Sequence, residues 1–236
     1  APHKAFKEII QNPGYKGPLL IMLLFILSFS GFYYILSAKV YYDQTAPKLT
    51  DQDRWTENAG LWHSNLGTNV TENTTDYIKG SYYGNRSIQF TLKNSTKIDM
   101  ELEIPGSLNC LEPYTYTNLT FRIKIVEPVN NLTYMNVSLL SENSPGKYFN
   151  YSMPVDSLKI GVWNNKTILL KDFEGVQNAD LKNITSLRFE LAWSSNQDNI
   201  VVLIDGVFFH GFYESLLDMG GSAVIINSMI SGFMQF

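Results

Sequence analysis

"SLRFELAWSSNQDNIVVLIDGVFFHGF", residues 186–212, holds two strand-like runs joined by a short polar turn. In the first run Leu187, Phe189, Leu191 and Trp193 alternate with Arg188 and Glu190, so one face is apolar and the other charged. Side chains along a strand point to opposite faces with a period of two, and this pattern predicts a half-buried strand. The second run, 200–209, is apolar at nearly every position. A central strand covered on both faces has that composition. Asp205 is the one carboxylate within it, and a carboxylate buried there needs a partner.

Working outward, the same texture fills the chain from Trp55 onward. Further alternating runs fall at 60–65, 77–82, 87–92, 98–104, 118–126, 134–141, 148–153 and 167–170. Breaks such as "IPGSLN", "VEPVNN" and "ENSPGK" separate them, as turn chemistry requires. The stretch "KDFEGVQNADLKNI" lacks strand character and reads as a crossing loop. Many short strands with no convincing helix between them predict an all-β sandwich.

The chain opens differently. Residues 17–38, "GPLLIMLLFILSFSGFYYILSA", carry no charge. As a helix they would reach about 33 Å, enough to cross a bilayer core. A buried core helix and a cleaved signal peptide are the other readings. The run is long for a signal peptide, and no small-x-small site follows it before Lys39. Lys4, Lys7 and Lys16 outnumber Glu8 before the span, which places that end in the cytoplasm. Tyr33, Tyr34, Tyr41 and Tyr42 mark the far interface as an aromatic belt would. The expected organisation is a cytoplasmic amphipathic lead (1–16), a transmembrane helix (17–38), a linker (39–52) and an extracellular β-sandwich (53–211). The stretch 212–236 reads as a second membrane segment, incomplete at residue 236, or as a helix lying on the membrane surface.

Asparagine usage bears on the same topology. Ten Asn-x-Ser/Thr sequons occur, at Asn69, Asn73, Asn85, Asn94, Asn118, Asn131, Asn136, Asn150, Asn165 and Asn183. From 21 asparagines about three sequons would arise by chance. The excess predicts N-linked glycans on an exterior domain. Cys110 is the single cysteine, so no internal disulfide is possible, and it reads as a small buried hydrophobe. A sequon-rich exterior without disulfides fits an archaeal cell surface. The net charge of −4 offers no basic field for nucleic acid.

No catalytic constellation emerges. His3, His63 and His210 are far apart, and no nucleophile elbow, zinc-protease motif or phosphate loop appears. Asp99, Glu101 and Glu103 alternate on one strand face, which suits a solvated surface better than an acid–base pair. The chain therefore reads as non-enzymatic. Exposed aromatics could stack on the C–H faces of sugars. The candidates are Trp62, Tyr82, Tyr83, Trp163 and Trp193, with Tyr114 and Tyr116 beside them. The competing reading of each is a core side chain.

Two resemblances add to this. "HKAFKEIIQNPGYKGPLLIMLLFILSFSGFYYIL" resembles the first segment of archaeal and bacterial Yip1-like multispan proteins. That likeness implies that the sandwich is an insertion after a first span. Residues 53–211 resemble the galactose-binding-domain-like jelly roll of many carbohydrate-binding modules. The matching pieces are "RWTENAGLW", "YIKGSYYGNRSIQFTL", "ILLKDF" and "LRFELAW…VVLIDGVFF". This likeness implies glycan binding or an assembly role without chemistry. It also implies a structural calcium held by Glu57, Asp205 and the carbonyls around Lys79, hard oxygen ligands of the kind calcium takes. A salt bridge from Asp205 to Arg54, Lys79 or Arg188 is the alternative. The expectation is thus a bilayer-anchored, N-glycosylated jelly-roll ectodomain. It would serve a membrane or cell-surface protein partner as an accessory subunit, or else read glycans as a carbohydrate-binding module.

Overall fold

The computed structural model describes residues 15–39, 43–111, 116–130, 132–142 and 146–212. Most of the expected lead, the second membrane segment from 213 onward, Tyr114 and Asn131 lie outside them.

The helix α1, Lys16–Lys39, covers the uncharged run, with Pro18 in its first turn. Its apolar side chains are almost all exposed. It is long and apolar enough to cross a membrane, as an anchor or a signal sequence would be. A core helix would instead be buried.

The sandwich occupies Asp43–Phe212. Its strands are β1 (Asp43–Ala46), β2 (Trp62–Ser64), β3 (Asn69–Asn73), β4 (Ser87–Leu108) and β5 (Tyr116–Glu127). They continue as β6 (Tyr134–Ser141), β7 (Tyr148–Met153), β8 (Asn164–Leu169), β9 (Glu174–Val176) and β10 (Ile184–Phe212). All pairings are antiparallel.

The backbone of the fold is one long ladder between β4 and β10, from Ile88 opposite Ile204 to Leu108 opposite Ile184. Its register shifts between Ala192 and Gln197. On the partner strand Asn94 sits there at φ 53°, in the left-handed region that asparagine tolerates. Bulged, polar residues let a strand pair bend without losing its ladder. The two halves then gain separate neighbours. One half forms the sheet β2-β4-β10-β6-β7-β9. The other pairs with β3 and β5, with β8 joined to the far side of β5 and β1 added along the last residues of β10.

The inner faces meet through aromatic rings. Phe121 and Phe189 lie 4.8 Å apart between centroids, and Trp62 packs edge-on against Phe90 at 5.5 Å. The predicted alternation of β10 is thus realised: Leu187, Phe189, Leu191 and Trp193 are buried, while Arg188 and Glu190 face out. Cys110 is buried, and burial pushes its thiol up to about 12.

Five local expectations are corrected. The run 77–82 forms no strand; it belongs to a segment, 74–86, that lies over the outer face of the β10-β5 sheet. Its covering explains why the second half of β10 is apolar on both sides. The runs 87–92 and 98–104 are one strand, as are 186–193 and 200–209. The stretch expected as a linker carries β1, because Asp43–Ala46 completes a ladder with the end of β10. The expected crossing loop carries β9, which pairs with the edge of β7.

Candidate functional site

The outer face of the β2-β4-β10-β6-β7-β9 sheet is where side chains with chemistry converge. Strand register sets a row across it. His63 on β2 stands opposite Glu101, Glu101 opposite Arg188, Arg188 opposite Ser138, Ser138 opposite Asn150, and Asn150 opposite Glu174. A second row runs Asp99, Glu190, Asn136, Ser152. Strands about 4.8 Å apart make the first row roughly 24 Å long. Two adjoining hollows, of about 270 and 360 Å³, share Arg188 as a wall. Tyr148 lines the larger one, and Tyr134 stands beside Glu190.

The charges are organised. Arg188 donates from Nε and Nη2 to Glu101 Oε2, at 2.9 and 2.6 Å. Lys97 lies 3.3 Å from Glu190 and 3.4 Å from Asp99. Tyr134 donates to Glu190 at 2.6 Å. Burial raises the Asp99 carboxyl above its ordinary range, helped by its bond to Glu190. Burial opposes ionisation of Glu190 too, but bonds from Tyr134, Asp99 and Lys97 outweigh it and hold that carboxyl low. The face is thus a fixed array of donors and acceptors. The carboxylates Asp99, Glu101, Glu103 and Glu190 outnumber Lys97 and Arg188 on it, which disfavours an acidic ligand.

The expected aromatic platform is not on this face. Trp62 and Trp193 are core residues, 3% and 4% exposed, because each falls on an inward strand position. Trp163 donates from Nε1 to Asp76 Oδ1 at 2.9 Å, and Lys124 reaches the same carboxylate. It fastens the covering segment. Tyr83 lies under the Arg122 guanidinium, 4.3 Å from its ring centroid. Tyr82 is exposed, but on that segment. The aromatics of the groove are Tyr134 and Tyr148. Their signal was present in "YMNVSLLS" and "YFNYSM", where each shares a strand face with Asn or Ser and opposes an apolar set.

Of the carboxylates expected to hold calcium, Glu57 and Asp205 take different partners. Glu57 accepts from the Arg86 amide and packs against Gly84, where a Cβ would meet its carboxyl carbon at 2.0 Å. Asp205, wholly buried, faces Asp53 instead. It accepts from the Ile78 amide at 2.6 Å and from Thr56 Oγ1 at 3.3 Å. Asp53 accepts from the Gly84 amide at 2.6 Å. Among the described residues no group of three or more His, Cys, Asp or Glu gathers as a metal site. None of the described salt bridges involves Asp205. Asp53 Oδ2 is buried with no hydrogen-bond partner among the described residues, and two carboxyls facing each other away from water do not both ionise freely.

Burial and the bond to Asp53 push the Asp205 carboxyl up to about 8. Its folded value exceeds its unfolded one, so the contribution is complete below the ordinary carboxylate range. It is lost as pH climbs towards 8. The melting temperature of the full chain is expected to fall by roughly 5–10 °C between pH 5 and pH 9. Asp205→Asn should flatten that slope. A melting temperature that rises with pH, or that calcium restores at pH 9, would mean a bound cation instead of a protonated Asp205.

Among the described residues the architecture is a jelly-roll β-sandwich preceded in sequence by one apolar helix. Among solved structures it is similar to a family 11 carbohydrate-binding module from Clostridium thermocellum, in complex with a β-1,3-1,4-mixed-linked tetrasaccharide. Identity is 17%, covering 67% of this chain and 93% of that one, with a TM-score of 0.44. It is also similar to a xylan-binding family 22 module from Paenibacillus barcinonensis, at 16% identity, 67% and 96% coverage and a TM-score of 0.41. An exo-β-agarase matches at 15% identity over 68% of this chain and 24% of its own, with a TM-score of 0.47. No protein-family model and no curated protein matches the sequence. The Yip1-like resemblance therefore rests on the quoted residues alone.

Proposed function

We propose that this chain holds a glycan-binding β-sandwich beside a membrane, with the polar groove of the β2-β4-β10-β6-β7-β9 sheet as its site. The observation that carries this reading is the in-register row from His63 to Glu174. A sugar chain presents many hydroxyls in a line, each able to donate and accept. Arg188, Asn136, Asn150, Ser138 and the carboxylates supply alternating partners along such a line. Tyr134 and Tyr148 supply ring faces for the C–H surfaces of the sugars. The acidic balance favours a neutral oligosaccharide. In this reading α1 is a membrane anchor, the sandwich is exterior and several sequons carry glycans.

The accessory-subunit reading asks for a bare apolar patch. Large apolar side chains exposed on the described sandwich, such as Leu66, Val129 and Val162, sit on separate turns. That distribution favours the glycan reading.

The test is a printed array of neutral and acidic oligosaccharides, probed with the full chain in detergent micelles. Mixed-linked β-glucan and xylan fragments belong on it. Binding confined to neutral chains is expected, with a Kd of about 1–100 μM. Silence across the array, together with a stoichiometric protein partner in native membranes, would return the reading to an accessory subunit.

A further inference from the structure

Two sequons stand inside the groove, and they face each other. Asn136-Val137-Ser138 lies on β6, and Asn150-Tyr151-Ser152 opposes it on β7, with Asn136 opposite Ser152 and Ser138 opposite Asn150. The hydroxyls cross over: Ser152 donates to Asn136 Oδ1 at 2.9 Å, and Ser138 donates to Asn150 Oδ1 at 3.1 Å. Each sequon serine therefore holds the other sequon's asparagine. The amide nitrogens, where a glycan would be joined, take part in neither bond. Asn136, Ser138 and Asn150 all line the hollow of about 360 Å³ that Arg188 and Glu190 complete.

The other sequons differ. Asn85, Asn94 and Asn165 are exposed and line neither hollow of the groove. Asn73 spends its amide nitrogen on Gln89, at 2.8 Å.

We propose that Asn136 and Asn150 are the switch of the groove: an N-glycan on either one closes it to ligand. This rests on the glycan-binding reading above. An oligosaccharide joined at the floor of so small a hollow leaves no room for a second one. It also displaces the array of Arg188, Glu190 and Tyr148 from any incoming hydroxyl. The interlock adds a time of action. Once β6 and β7 are paired, both sequons are extended and their hydroxyls are engaged. Modification therefore has to precede that pairing, so the choice is made during synthesis and kept by the folded sheet. The exposed sequons remain open to modification after folding.

The experiment compares the full chain made in a glycosylating and a non-glycosylating host. Occupancy is mapped by glycopeptide mass spectrometry, and binding is read on the neutral-oligosaccharide array in detergent. Wild-type chain carrying glycan at Asn136 or Asn150 should bind at least about tenfold more weakly than unmodified chain. The N136Q/N150Q double variant should bind equally from both hosts, whatever its own level. The triple variant N85Q/N94Q/N165Q should keep the host difference. Equal binding by occupied and unoccupied wild-type chain overturns the switch while the glycan-binding reading stands. So does finding both asparagines bare in a host that modifies Asn85, Asn94 and Asn165. Failure of the unmodified chain to bind anything on the array overturns the reading, and the switch with it.

Discussion

Replacing Phe189 with alanine is expected to destabilise the sandwich by about 3–5 kcal/mol. The ring is fully buried on the first half of β10. It sits 4.8 Å from Phe121, which belongs to the opposite sheet, and stacks on Trp62 at 6.3 Å. Met100 and Val137 flank it in register on β4 and β6. The side chain therefore joins the halves that the bend at 192–197 folds together. Its loss leaves a cavity lined by rigid strands, which cannot collapse to fill it. Thermal unfolding followed by tryptophan fluorescence, on the full chain in detergent, should show the midpoint lowered by roughly 6–20 °C. A loss under about 1 kcal/mol would mean that the two sheets are held apart from this contact, contrary to the packing described.

Replacing Arg188 with alanine is expected to weaken oligosaccharide binding by about 10- to 100-fold, with little change in melting temperature. Arg188 stands at the centre of the first row and walls both hollows. Two of its nitrogens fix Glu101, and its removal leaves that carboxylate facing the ligand unpaired. Lysine should restore only part of the binding, since one ammonium cannot reproduce the planar fork. Isothermal titration against the best array ligand measures the effect. The exposed Lys93, outside both hollows, serves as the control. Undiminished affinity in the alanine variant would place the ligand elsewhere on the sandwich.

Much of the fold was legible because burial leaves a period in the chain. The runs at 134–141 and 148–153 match β6 and β7 as read, since both have one face in the core and one in solvent. Legibility failed where an element owes its strand state to a neighbour. β3, "NVTEN", is polar and has no alternation, yet it pairs with the apolar β4. β1 and β9 are likewise short edge pieces completed by a partner's ladder. The segment 74–86 misled in the opposite sense. Its tyrosines and Ile78 resemble a strand, but they serve as a cover over Leu203, Asp205 and Phe208.

The candidate site was readable only in part, for the same reason. Carboxylates on one face of β4, and Arg188 with Glu190 on one face of β10, are plain in the sequence. Tryptophan, by contrast, carries no mark of whether it faces core or solvent. Trp62 and Trp193 went inward, and Trp163 became a clamp on Asp76.

The sequence by itself determined the uncharged helix, the strand content and the polar and apolar sides of the strongly alternating strands. Those are local properties, written in the composition and period of neighbouring residues. Which strands lie side by side was decided only by the tertiary structure. That pairing placed Arg188 between Glu101 and Ser138, set Asp53 against Asp205, and brought two sequons 14 positions apart face to face. Strand partners are chosen by the packing of whole faces across the core, and no window along a single chain contains that choice.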